Sequence, residues 1–266
     1  IAAGRSRSPT RNSVVRGASA RHLFVVTFLE SIMKSLTTVA LTLVLTSYAS
    51  ATTVLFDFGR TDLQTNPNWN NVVPATTTLF ALFDSDGNLH GTAGFEITDV
   101  FFHTGEPSQL GSEAPVGDAA SYPVSATDDY FFGHITPFAG ADANPLGQFK
   151  LFNLDANSFY SFTFFASRQT VSDIRDASYT VRGDNSGSVV LNASNNNSEV
   201  VRVDDIIPDG NGEIFVDVEV GPQNDNGNGF YYIGLMQVDI RPIPEPTTLA
   251  LFGLAAATLA GGRRRR

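Results

Sequence analysis

The chain has 266 residues, with 17 basic and 27 acidic side chains and a formal net charge of −10. It contains no cysteine, which excludes disulfides, zinc–thiolate sites, iron–sulfur clusters and thiol nucleophiles. Nucleic acid is excluded as a partner, because phosphate binding requires a surface of the opposite charge.

The first 51 residues fall into two segments, and only the second one predicts targeting. Residues 1–32 begin with Ile1 and hold five arginines without a fold pattern, so we interpret them as an untranslated or disordered upstream extension before a true start at Met33. A basic arm that binds nucleic acid is the alternative, and it makes little sense in front of an export signal. Residues 33–51 combine a basic start, a short apolar run and an A-x-A site at Ala49 and Ala51, which predicts a cleaved secretory signal helix.

The exported part, residues 52–243, is more acidic than the whole chain. Residues 1–51 hold six basic and one acidic side chain, and the tail holds four and one, which leaves seven basic against 25 acidic residues. The net charge of this part is therefore about −18. Such a surface favours solubility outside the cell and attracts divalent cations.

Short strands dominate the pattern of this part. Residues 53–59 and 214–220 alternate apolar and polar side chains, and residues 230–240 form a last strand of the same kind, as expected of half-buried strands. Turns rich in Gly, Asn and Asp separate nine or ten such segments, and no convincing helix occurs. The sequence therefore predicts one all-β domain, an antiparallel jelly-roll-like β-sandwich flanked by the signal helix and a short C-terminal transmembrane helix.

Two further segments have a specific interpretation. The Phe-rich residues 148–154 and 159–166 flank a turn composition at 155–157, which predicts a hairpin. Residues 105–126 are rich in Gly, Pro, Ser and Ala, and a loop of this length is often functional or mobile.

The tail, residues 244–266, has three parts. Pro244-Glu245-Pro246 precedes an uncharged apolar run over 247–262, and Arg263, Arg264, Arg265 and Arg266 follow it. The run is slightly short for a bilayer, which asks for about 17–20 apolar residues. The arginines predict a stop-transfer signal on the cytoplasmic side.

These three parts in this order resemble the PEP-CTERM sorting domain of Gram-negative, biofilm-forming bacteria. The resemblance implies that Pro244, Glu245 and Pro246 are recognised by an exosortase-type processing enzyme. It implies export through the inner membrane, a transient anchor in that membrane through the C-terminal helix, and release to the cell surface or the extracellular matrix.

The segments LFDFG, NWNN, FTFFASR and FYYIG, spread over residues 53–240, also resemble galactose-binding-like jelly-roll modules of secreted bacterial proteins. Such modules often accompany carbohydrate-active domains. The resemblance lacks a diagnostic motif and implies a fold more than an activity.

No catalytic motif is present, so we predict that the protein is not an enzyme. His90, His103 and His134 show no metal-binding spacing, and no nucleophile elbow occurs. We interpret the acidic pairs Asp128-Asp129 and Asp204-Asp205 as solvated surface acids. A hydrolase would need two carboxylates brought together by the fold.

Trp69, Asn70 and Arg168 are the candidate ligand-binding residues. Trp69 lies among asparagines, and an aromatic plane beside amides suits the apolar face and hydroxyl rim of a sugar. The alternatives are that Trp69 plugs one end of the sandwich and that Arg168 pairs with an acid such as Asp173.

We predict no metal site, although the turns over residues 84–88 and 209–213 leave calcium as a candidate cofactor. Both turns carry oxygen ligands, but neither matches a full calcium loop, and turn formation alone explains their composition. The predicted function is that of an exported, exosortase-sorted, non-catalytic surface or matrix protein that binds extracellular polysaccharide or merely decorates it. The alternatives are a structural envelope protein without a ligand and an extracellular hydrolase that uses carboxylates.

Overall fold

A computed structural model describes residues 51–102 and 107–244 of the chain. The upstream extension, the signal helix and the transmembrane helix were predicted outside these ranges. The same is true of His103, Ala49, Glu245, Pro246, Arg263, Arg264, Arg265 and Arg266. Within the described ranges, no helix has the length and apolar character needed to cross a bilayer.

Thirteen strands and two short helical segments make up the described chain. The strands are β1 (Thr52–Phe58), β2 (Asn70–Val72), β3 (Thr78–Leu79), β4 (Gly94–Asp99), β5 (Phe131–Gly133), β6 (Leu146–Phe152), β7 (Ser158–Phe165), β8 (Asp176–Arg182), β9 (Ser186–Asn192), β10 (Val201–Ile206), β11 (Ile214–Val220), β12 (Tyr231–Ile233) and β13 (Leu235–Pro242). A 3₁₀ helix covers Gly117–Ser121 and the single turn α1 covers Val124–Thr127. These helical turns were not predicted, because neither is long enough to show a helical period.

Two stacked sheets form a β-sandwich, which confirms the predicted all-β class. One sheet has the order β10-β7-β13-β1-β2 and the other has the order β3-β4-β6-β11-β8-β9, while β5 and β12 form a separate pair. The pairing of β1 with β2 is parallel, and the other pairings between these strands are antiparallel. The predicted last strand is divided at Gly234 into β12 and β13, which have different partners.

Aromatic rings fill the space between the sheets. The ring centroid of Phe58 on β1 lies 5.3 Å from that of Phe149 on β6 and 5.9 Å from that of Phe95 on β4. Phe164 on β7 stacks on Tyr179 on β8 at 4.5 Å. All five side chains are fully buried. Each such pair adds about 0.5–1.5 kcal/mol beyond its area burial, so the outward side chains of both sheets project from a rigid support.

The predicted hairpin of residues 148–154 and 159–166 was wrong. β6 pairs with β4 and β11, whereas β7 pairs with β10 and β13 in the other sheet. The connection between β6 and β7 therefore crosses from one layer to the other. Asn153 has a left-handed φ of 56°, and Leu154 packs against the core. A turn composition is the same for both kinds of connection, so composition alone did not distinguish them.

Residues 107–130, here called the strap, cover the outer face of the five-stranded sheet. Tyr122 packs there with Phe165 and Leu235 in a second apolar cluster, and its hydroxyl donates to Oε1 of Gln237 at 2.9 Å. The described part of the long predicted loop is therefore a packed segment that shields one sheet from solvent.

Candidate functional site

The outer face of the six-stranded sheet is open. Strand register places Thr78, Glu96, Lys150, Phe215 and Arg182 in one row across β3, β4, β6, β11 and β8. Their neighbours along each strand point into the core, because side chains alternate between the faces of a strand. The row therefore presents charged, hydroxyl and aromatic groups on a single surface.

An open groove of about 290 Å³ lies at one end of this row. We call it the sheet-face groove, and its lining residues are Thr78, Phe80, Glu96, Lys150, Phe152, Asn153, Asn211 and Glu213. The strands supply half of these residues, Thr78, Glu96, Lys150 and Phe152, and the turn after residue 209 supplies Asn211 and Glu213. The groove thus joins a rigid sheet to one loop.

Phe80 is the most prominent aromatic side chain of the groove, because 79% of its surface is exposed. Its ring meets the ring of Phe152 edge to face at 6.5 Å between centroids. Farther along the row, the ring of Phe215 lies under the Lys150 ammonium at 5.9 Å and the Arg182 guanidinium at 5.7 Å. The exposed ring of Phe80 offers flat apolar area that a ligand can cover.

The charged groups of the groove are paired. Lys150 Nζ lies 2.8 Å from Oε1 of Glu213 and 3.3 Å from Oε2 of Glu96. Farther along the face, Arg182 Nε and Nη2 each donate to Asp217 at 2.9 Å. The hydrogen bond that Lys150 donates to Glu213 is the main reason that the pKa of Lys150 is raised, so the ammonium keeps its charge.

The three predicted ligand-binding residues do not line this groove. Trp69 is half-buried and meets the ring of Tyr122 edge to face at 6.4 Å. Asn70 is 4% exposed, and its side-chain amide hydrogen-bonds the backbone carbonyls of Leu55 and Phe83 and the amide of Phe83. Their part in ligand binding stays a prediction.

Arg168 lies at the end of β7. Its guanidinium donates to the carbonyl of Gln169, and its backbone amide donates to Ala193 at 2.7 Å. Asp173, the acid suggested as its partner, instead pairs with Arg175 at 3.1 Å. The role of Arg168 in ligand binding also stays a prediction.

The turns considered for calcium use their carboxylates internally. Oδ1 of Asp84 accepts from the backbone amides of Asp86 and Asn88 at 3.0 Å and 2.8 Å. Oδ1 of Asp209 accepts in the same way from Asn211 and Glu213, both at 2.9 Å. Among the described residues, no group of three or more His, Asp or Glu side chains is suited to hold a metal ion.

A buried group of acids lies where the end of the strap meets β1, and we call Asp57, Asp128 and Asp129 the carboxylate cluster. These side chains are 3%, 5% and 1% exposed. The prediction that Asp128 and Asp129 are solvated surface acids was therefore wrong. The strap covers the outward side of β1, and no local pattern around these residues encodes that contact.

In each acid of the cluster, one carboxylate oxygen accepts a hydrogen bond. Oδ2 of Asp57 accepts from the amide of Thr65 at 3.0 Å, Oδ2 of Asp129 from the amide of Arg60 at 2.6 Å, and Oδ2 of Asp128 from Gln109 Nε2 at 3.0 Å. Within the part of the chain that the structure describes, the three Oδ1 atoms have no hydrogen-bond partner. Such atoms are costly if they carry charge.

Burial controls the protonation of this cluster. Loss of solvent raises the pKa of Asp57 to about 7 and that of Asp129 to about 8. The negative charges of Asp57 and Asp128 raise the pKa of Asp129 further, while the Arg60 amide and guanidinium oppose the rise. Burial also raises the pKa of Asp128. The cluster therefore holds protons near neutral pH.

Residues 242–266 match the family described as the PEP-CTERM protein-sorting motif, which confirms the resemblance of the tail. This motif implies an exported protein that passes through a membrane-anchored stage and is processed by an exosortase. No curated protein matches the chain.

Three solved structures show a likeness to this chain. TmCBM61 in complex with beta-1,4-galactotriose has 16% identity and a TM-score of 0.23, with 42% of this chain and 70% of that chain covered. The F5/8 type C domain of a Bacteroides fragilis protein has 12% identity and a TM-score of 0.30, with 56% and 92% covered. The ANXUR1 extracellular domain from Arabidopsis thaliana has 13% identity and a TM-score of 0.33, with 66% and 56% covered. At these identities the likeness concerns the fold alone.

Proposed function

We propose that the exported domain is a non-catalytic module that binds extracellular polysaccharide in the sheet-face groove. The observation that carries this proposal is Phe80, an aromatic ring left 79% exposed on the rim of a groove lined by charged and amide side chains. A sugar ring offers an apolar face for the phenyl ring and a hydroxyl rim for the polar groups.

Covering the Phe80 ring supplies binding free energy. Full burial of a Phe side chain contributes about 1.5–3 kcal/mol, and most of that amount is still available at Phe80. The polar groups that line the groove with this ring come from β3, β4, β6 and the turn before β11. Because strands hold Thr78, Glu96 and Lys150 in place, little ordering entropy is lost at these residues when a ligand binds.

Substitution of Phe80 tests the proposal. The whole chain, produced with its own targeting segments, is run in native gels that contain soluble neutral β-glucan, β-galactan or polysaccharide from the producing organism. We expect retardation in at least one gel, and we expect Phe80→Ala to weaken it about tenfold or more, equivalent to at least 1.4 kcal/mol.

Val116→Ala is the matched control, because Val116 is also exposed, at 54%, but lies on the strap over the other sheet. Equal loss in both variants would contradict the groove as the site. Trp69→Ala separates the two candidate sites, and its thermal unfolding must be measured because Trp69 packs on Tyr122. Absence of retardation on every polysaccharide would leave a structural envelope protein without a ligand.

One observation bears on the hydrolase alternative. Glu96 Oε2 and Glu213 Oε1 are 3.3 Å and 2.8 Å from the same Lys150 Nζ, so these oxygens are at most 6.1 Å apart. Paired carboxylates in one groove are the geometry of a glycosidase. However, both oxygens are already engaged by the Lys150 ammonium. We expect no new reducing ends when the chain is incubated with any polysaccharide that it binds.

A further inference from the structure

We infer that the sheet-face groove selects neutral polysaccharides over anionic ones, an inference that rests on the polysaccharide-binding function proposed above. The preference for neutral ligands follows from the ion pairs that the cations already form with acids of the protein. On the described face, the cations Lys150 and Arg182 are both engaged by acids of the protein itself.

Lys150 is the cation that an anionic sugar would have to contact within the groove. It already lies between Glu213 at 2.8 Å and Glu96 at 3.3 Å. A uronate or sulfate that approached Lys150 would also approach both carboxylates, and like charges at such distances repel. To bind, the anion would have to displace one carboxylate and leave it unpaired.

Farther along the row, Arg182 repeats this arrangement. Two nitrogens of its guanidinium donate to Asp217, and Asp217 also accepts from Gln148 Nε2 at 2.6 Å. The planar fork of Arg182, which would otherwise suit a carboxylate of the ligand, is therefore occupied. Three acids, Glu96, Glu213 and Asp217, thus engage these two cations.

The net charge of the exported part also disfavours the binding of anionic polysaccharides. With seven basic and 25 acidic residues in 52–243, the field of the domain repels anionic chains before they reach the groove. Salt screens this long-range contribution but has less effect on the close pairs.

Hydroxyl groups suit the same arrangement. Each hydroxyl both donates and accepts, so it can donate to a lone pair of Glu96 or Glu213 and accept from the remaining N–H of Lys150. Asn153 and Asn211 add amides on the rim. A neutral sugar thus forms hydrogen bonds without separating any of the ion pairs.

The test uses one polysaccharide in two charge states. The whole chain is assayed by native gel retardation on neutral β-glucan and β-galactan, and on the same preparations after their primary hydroxyls have been oxidised to carboxylates. We expect retention on a neutral form and at least about tenfold weaker retention on its oxidised form.

A double substitution, Glu96→Gln with Glu213→Gln, keeps the side-chain shapes and leaves Lys150 without its acids. We expect it to gain retention on the oxidised polysaccharide, and the gain should fall as salt is added. The control is Glu113→Gln with Glu199→Gln, which makes the same change in net charge at exposed positions outside the groove. This control should keep the preference of the wild type for the neutral form.

The outcomes separate the two proposals. Equal or tighter retention of the wild type on the oxidised form would overturn neutral selectivity while leaving polysaccharide binding intact. An equal gain in the control double variant would assign the selectivity to net charge and overturn the role of the groove. Retention on neither form would overturn the proposed function itself, and the selectivity with it.

Discussion

Acidic side chains occur in both the sheet-face groove and the carboxylate cluster, but their surroundings differ. In the groove, Glu96 and Glu213 are solvated and share one ammonium. In the cluster, the strap shields Asp57 and Asp129 from water, and one oxygen of each has no hydrogen-bond partner among the described residues. The groove therefore keeps its acids within reach of a ligand, whereas the strap withdraws those of the cluster from water.

The largest expected effect is on the pH dependence of the free energy of unfolding, and it comes from the carboxylate cluster. The raised pKa values of Asp57 and Asp129, about 7 and about 8 against an ordinary 3.8, mean that the folded state holds protons which the unfolded state releases. The free energy of unfolding therefore falls as pH rises from about 4 to about 8, by up to about 1.4 kcal/mol per pH unit and group. Asp129→Asn should flatten this fall, as measured by urea unfolding at pH 5, 7 and 9.

The control for this measurement is Asp118→Asn, which changes an exposed acid of the same strap. We expect its pH profile to follow that of the wild type. Parallel profiles for Asp129→Asn and the wild type would mean that the cluster does not couple protons to folding, and the contrast with the groove would be lost.

A smaller effect is expected at Gly59, which lies directly beneath the cluster. A Cβ atom at Gly59 would come within 2.3 Å of both carboxylate oxygens of Asp129. Gly59→Ala should therefore lower the free energy of unfolding by about 1–3 kcal/mol. Gly210→Ala, where a Cβ meets nothing within 4 Å, is the control. Similar melting temperatures for both variants would argue against close packing of the cluster.

The smallest change in the free energy of unfolding is expected for a substitution in the sheet-face groove. Lys150→Gln removes both ion pairs, but the side chains of Glu96 and Glu213 remain 43% and 22% exposed. Pairs of this kind contribute about 0–1 kcal/mol, so urea unfolding should change by no more than that. A loss of several kcal/mol in the free energy of unfolding would show that the ion pairs stabilise the sheet. The groove and the cluster would then both contribute to stability.

Strand positions could be predicted from the sequence because burial leaves a period of two. Residues 214–220 place Val216 and Val218 in the core and Asp217 outside, as the alternation predicted. The sequence pattern did not show which strands pair with each other or which sheet each strand joins. The same turn composition at 155–157 suits a hairpin or a crossing between layers, and the division at Gly234 interrupts an unbroken apolar pattern.

The candidate site was harder to predict for a related reason. Phe80 is one of many phenylalanines, and its exposure depends on strands that pair across the sheet. Trp69 stood out by its residue type, yet the strap covers part of it through Tyr122. Asp128 and Asp129 are separated from Asp57 by about 70 residues, so their common burial follows from the path of the strap rather than from any local pattern.

The position of β13 has a mechanical consequence. This strand lies between β1 and β7, paired with both along most of its length, and the chain continues from Pro242 into the sorting segment. Tension applied through that segment runs along β13, whereas the hydrogen bonds of antiparallel neighbours lie across it. Two ladders of bonds are then loaded together in shear instead of being peeled apart one by one. A domain held by this end should resist pulling better than one tethered through an edge strand such as β10.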